Sequence, residues 1–303
     1  MSSIPPPASA QPPGPTAPPP PPDVPPEPRR GPDEPPWPVW TAPAAVGIGI
    51  VLGVFGTILV QAIGAAGGSS LSNPSPAVTI LSAVVFDLGF VVAALYFAVV
   101  RGHGHPADFG FRPVALKLAV TAMAIAAISY YTATAIWAAI FNLHGSDKLP
   151  SDFGVDRSTI ALIGTAAFVC VIAPMAEEFF FRGFFFGALR RWRIKVAGRE
   201  IGTWVAAVVT GILFGLAHTG SASPQYLVPL GFLGFVLCIV RWRTGSLYPC
   251  MALHSINNSL ALGVNQVSWN AAEVVALMAG SLLVIGAITL PLSARVPALR
   301  WGG

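Results

Sequence analysis

Residues 174–189 read PMAEEFFFRGFFFGAL. Glu177, Glu178 and Arg182 stand here in an apolar run that reaches back to residue 158 without another charge. An ionisable side chain near a bilayer centre costs at least about 2.5 kcal/mol, so chains that keep one there turn it toward protein and use it. Glu178 and Arg182 are four residues apart, the spacing of a side-chain pair on one helix face, whereas Glu177 projects about 100° away from Glu178. The simplest assignment is a Glu178–Arg182 ion pair with Glu177 aimed elsewhere. A carboxylate in an apolar surrounding suits a general base. A structural cluster that only ties helices together is equally open on this segment alone.

The rest of the chain fits that membrane reading. Of 303 residues only 10% are charged and 54% are hydrophobic, with mean hydropathy +0.67, whereas soluble domains carry about 25% charged residues. Eighteen of the 30 prolines fall in residues 1–38. This segment is expected to be a disordered, partly polyproline II cytoplasmic tail that buries no core. It holds no basic stretch followed by an apolar core, so no cleavable signal peptide is expected. Residues 39–303 are expected to form an all-α, polytopic transmembrane helix bundle. Apolar blocks near 40–65, 76–100, 114–141, 158–189, 201–219, 224–240, 246–263 and 271–292 give about eight transmembrane helices at roughly 20 residues each. The fourth is too long for one straight span, and Pro174 is expected to kink it. Cys170, Cys238 and Cys250 lie in apolar stretches and read as small buried side chains, not disulfides or a metal site.

A net charge of +4 and a pI near 9.2 do not point to nucleic acid, because the basic residues alternate by side. Arg29, Arg30, Arg101, Arg112, Lys117, Arg190, Arg191, Arg193, Lys195, Arg199, Arg241, Arg243, Arg295 and Arg300 fall on one side of the alternating connections, and only Lys148 and Arg157 on the other. Such an asymmetry marks the cytoplasmic side and puts both termini there. The expected location is a bacterial plasma membrane.

Two further segments carry intramembrane polar groups. FGLAH (214–218) brings His218, preceded by a Gly211/Gly215 pair that permits close helix approach, expected against the fourth helix. HSINN (254–258) puts His254 and Asn258 on one face, where both can donate hydrogen bonds to a developing oxyanion; Asn257 points elsewhere and reads as packing or solvent-facing. Asp87 is an outlier in the second span, read as a satisfied buried polar group or a helper. His103 and His105 form an HGH loop that reads as solvated rather than metal-binding. At about 1.5 Å per residue, the cluster falls near mid-membrane, with access from the cytoplasmic side.

Glu177-Glu178-xxx-Arg182, Phe214-xxx-His218 and His254-xxx-Asn258 together resemble the CPBP family, which takes in the CAAX prenyl proteases of the Rce1 type and bacterial bacteriocin-processing or immunity (Abi) relatives. The resemblance covers residues 158–263. It implies an intramembrane endopeptidase in which Glu177 and His218 activate a water, His254 and Asn258 form the oxyanion hole, and Glu178 and Arg182 support the site. It implies a membrane-associated or lipidated substrate, including prenylated CAAX proteins. The cofactor is left open between a metal-free glutamate mechanism and Zn²⁺ or another divalent metal, whose ligands would be Glu177, His218 and His254. A non-catalytic immunity or scaffold protein and an ion- or proton-coupled transporter are the alternatives from other classes.

Overall fold

The computed structural model describes residues 34–102, 104–141, 149–156 and 158–293. Each apolar block becomes helix: α1 (Thr41–Ala66), α2 (Pro76–Gly102), α3 (Leu116–Phe141), α4 (Thr159–Leu189), α5 (Gly202–Ala217), α6 (Leu227–Thr244), α7 (Tyr248–Leu260) and α8 (Ala271–Thr289). Among the described residues, six helical stretches are long and apolar enough to cross a membrane. The expected count of eight includes two shorter helices. α5 has 16 residues, and α7 has 13, prolonged by a π-helical turn at Ala261–Gln266. A small hairpin, β1 (Lys195–Val196) with β2 (Arg199–Glu200), follows α4. Ala197 and Gly198 at its tip have φ of 50° and 78°, the left-handed geometry a two-residue hairpin needs.

Glycines set the helix separations. An added Cβ at Gly89 of α2 would lie 2.6 Å from the Gly53 nitrogen of α1, so only glycine allows this approach. The outward faces remain apolar; Val51 and Phe55 are each 67% exposed. Lipid solvates such faces as readily as a protein core does. Cys170, Cys238 and Cys250 are buried free thiols, as expected.

Several basic helix ends gather at one end of the bundle. The Arg101 guanidinium at the end of α2 sits over the Trp40 ring beside the start of α1, 5.2 Å from its centroid. At the end of α4, Arg191 donates to the Trp37 carbonyl at 2.7 Å. Arg29, Arg30, Lys148, Arg157, Arg295 and Arg300 lie outside the described residues. The alternation predicts that cysteines introduced in 66–75 and in 190–200 react with an impermeant maleimide from opposite sides of a sealed vesicle. Labelling of both from one side would overturn it.

Composition alone put residues 34–38 in the tail, but the structure packs them on the bundle. Trp37 is fully buried, stacks on Phe184 with centroids 5.1 Å apart and donates its indole N–H to the Phe184 carbonyl at 3.3 Å. Glu34 pairs with Arg193 at 2.6 Å. A tryptophan brings enough apolar area to anchor a proline-rich strand once its N–H has a partner. Residues 1–33 lie outside the described residues.

Candidate active site

The site is built where α4 departs from α-helical geometry. It contains π-helical turns at Phe168–Ile172 and Phe179–Phe185, flanking Ala173–Glu178. Pro174 explains the first. It has no N–H, and its ring crowds the carbonyl four residues back, so the preceding turn widens and carbonyls lose their helical donors. The Ala173 N–H goes to the Phe168 carbonyl. The Cys170 carbonyl, whose α-helical donor would be residue 174, accepts from the Ser255 hydroxyl at 2.6 Å. The Val169 carbonyl accepts from the Asn258 amide nitrogen at 2.9 Å. The expected kink is thus a widened turn, and the carbonyls it releases fasten α7 to α4.

The ion pair expected from spacing is present. Arg182 Nη1 lies 2.8 Å from Glu178 Oε1, both side chains fully buried. Arg182 Nη2 also donates to the Gly234 carbonyl at 3.1 Å, and the guanidinium lies over the Phe214 ring, 4.3 Å from its centroid. Glu178 has a second partner that spacing did not reveal: His254 Nδ1 approaches the same Oε1 at 2.8 Å. A carboxylate can only accept, so Nδ1 carries the proton. Nε2 then faces the other glutamate, 4.0 Å from Glu177 Oε2. That oxygen is buried and has no hydrogen-bond partner.

His218 sits at the C-cap of α5, with Nδ1 2.8 Å from the Phe214 carbonyl. The carbonyl accepts, so Nδ1 is the protonated nitrogen and Nε2 keeps a lone pair. Phe214 touches both imidazoles, its centroid 4.8 Å from His218 and 5.7 Å from His254. The Gly211/Gly215 face meets α6 and not α4: an added Cβ at Gly215 would fall 2.5 Å from the Leu227 carbonyl. It is Phe214, against Phe181 at 5.2 Å, that joins α5 to α4. Glycines face backbone where backbone comes closest, and here that backbone belongs to the next helix in sequence.

Asp87 is half-buried on α2, which packs against Ala173–Glu178. Its Oδ2 is buried without a hydrogen-bond partner. His105 opens the one-turn helix Pro106–Phe109, its backbone N–H donating to Asp108 at 2.9 Å; His103 lies outside the described residues. Among the described residues, no three His, Cys, Asp or Glu side chains are arranged to hold a metal ion. The hydrogen bonds at Nδ1 of His218 and His254 leave Nε2 of each imidazole available, as a water-binding or a metal-binding role would equally require.

Residues 159–260 match the family described as "Type II CAAX prenyl endopeptidase Rce1-like", a span that holds all three motifs. A stretch of 135 residues, 42% of the chain, is 26% identical to an "Uncharacterized 24.3 kDa protein" of Escherichia coli and covers 58% of that protein's length. No solved structure matches the chain.

Proposed function

From an Rce1-like domain at residues 159–260 set within a membrane bundle, we propose that this protein is an intramembrane endopeptidase of the CAAX-protease type. It cleaves a peptide bond in a membrane-associated substrate, of which a prenylated C-terminal peptide is the leading class. The observation that carries the reading is the Glu177 oxygen that has no hydrogen-bond partner, 4.0 Å from His254 Nε2. Two hydrogen bonds of about 2.8 Å from one water oxygen can span that separation.

The chemistry follows from the committed nitrogens. Glu177 accepts a proton from a water that His218 Nε2 helps to orient, and the water oxygen attacks the scissile carbonyl carbon. The carbonyl electrons move onto oxygen. With Glu178 as counter-ion, His254 in its doubly protonated form has its Nε2–H left to donate to that oxyanion, together with an Asn258 N–H. Collapse of the intermediate breaks the C–N bond, and the proton held by Glu177 passes to the departing amine.

The test is cleavage by the full chain in liposomes of a panel comprising a prenylated CAAX peptide, its unprenylated form and a membrane-spanning peptide, with and without chelator. The expected result is hydrolysis of lipid-anchored or membrane-inserted members and indifference to chelator. Inhibition by chelator would make Glu177, His218 and His254 ligands instead. No cleavage of any member would favour a non-catalytic partner or a transporter.

A further inference from the structure

Asn258 is one end of a hydrogen-bond chain that crosses three helices. Tyr131 of α3 donates its hydroxyl to Asn257 Oδ1 at 3.2 Å. Asn257 Nδ2 donates to Asn258 Oδ1 at 3.3 Å, and Asn258 Nδ2 donates to the Val169 carbonyl at 2.9 Å. The direction of this chain is forced from the Val169 end. A carbonyl oxygen only accepts, so the Asn258 nitrogen must face it. The Asn258 oxygen then faces Asn257, which must present its nitrogen. The Asn257 oxygen is left to accept from Tyr131, whose hydroxyl is able to donate.

We propose that Tyr131 and Asn257 are positioning residues that hold the Asn258 amide in the one orientation that offers an N–H to the oxyanion. The proposal rests on the oxyanion role given to Asn258 above. A primary amide can turn over by 180° and exchange its donor for an acceptor. An acceptor facing an oxyanion repels it; the Val169 carbonyl opposes that inhibitory orientation with one hydrogen bond, and Asn257 adds a second that a turned amide would also lose. The chain removes that freedom: the Asn258 oxygen and one amide hydrogen are both engaged, leaving the second hydrogen for substrate. Tyr131 is 41% exposed, but in a bilayer that exposure is to lipid, where little water competes for its hydroxyl. Asn257, which its helical position alone marked as packing or solvent-facing, thus occupies the middle of the chain.

The test measures single-turnover hydrolysis by reconstituted full-length protein carrying Tyr131→Phe or Asn257→Asp, each alone and combined with Asn258→Ala. Asn257→Asp still accepts from Tyr131 but cannot donate to Asn258. Each single change is expected to lower the rate constant about 5- to 10-fold, the size of one hydrogen bond, with little change in KM. In the Asn258→Ala background neither is expected to lower it further. Equal losses in both backgrounds, or a change in KM alone, would overturn the positioning role. A second readout does not depend on activity: with ¹⁵N-asparagine labelling, the Asn258 side-chain amide signals, identified by their loss in Asn258→Ala, are expected to move in Tyr131→Phe. Unmoved signals overturn the chain whether or not the protein cleaves peptides. Moved signals in a protein that cleaves nothing overturn the oxyanion role while the chain stands.

Discussion

Glu177→Gln is expected to lower hydrolysis of a verified substrate by about 10²-fold or more, the usual contribution of a general base, without lowering thermal stability. The expectation comes from what the carboxylate does not do. Its Oε2 has no hydrogen-bond partner, and His254 Nε2 on α7 is 4.0 Å away. Glutamine preserves the shape and removes the proton acceptor. Asn258→Ala is expected to cost about 10²–10³ in rate, the range for loss of one oxyanion donor. It also strips the Val169 carbonyl of its partner, so a stability loss of about 1 kcal/mol should accompany it. Rates measured beside thermal melts check both. Equal activity of the wild type and Glu177→Gln ends the protease reading.

The second large effect belongs to Glu178. Glu178→Gln is expected to reduce folded yield and melting temperature together with activity. One carboxylate oxygen serves two donors, Arg182 Nη1 and His254 Nδ1, each at 2.8 Å. Arg182 is fully buried, and removing one partner of a buried ion pair costs about 3–5 kcal/mol because the other charge is stranded. The same change takes the counter-ion from His254. Thermal melting in detergent, beside turnover in liposomes, separates this double loss from the rate loss of Glu177→Gln. A Glu178→Gln protein that melts like the wild type would mean that Glu178 is not the anchor of this cluster.

Spacing within one helix made part of this arrangement legible, and spacing between helices hid the rest. The Glu178–Arg182 pair is a local, i to i+4 relation, and it stands where the sequence put it. The fold class was readable because apolar blocks about 20 residues long have few alternatives in a bilayer. The Glu178–His254 contact joins residues 76 apart, and no periodicity reports such a distance. Tyr131 carried no signal at all, one tyrosine in an apolar block. Asn257 carried a weak one, a second amide beside Asn258, and a helical wheel turned it away from the site. The glycines of α5 announced a close approach but not its partner, which proved to be α6. Pro174 announced an irregular turn, but not that the carbonyls it frees would receive Ser255 and Asn258. Trp37 was masked by the prolines around it, because composition averages over a segment while burial is decided by single side chains.

The two wide turns of α4 give its positions an address that depends on counting. In a regular helix each residue advances about 100° around the axis, so an extra residue taken up by a wide turn re-aims everything beyond it. A side chain in Phe179–Phe185 can be exchanged without moving its neighbours' bearings. Losing one residue there is a different event: the turn can close to ordinary pitch, and Leu189 through Arg193 swing by about 100° relative to Glu178. The hold of Arg191 and Arg193 on Trp37 and Glu34 would swing with them. Along this stretch the length of the chain is held as firmly as the identity of Arg182.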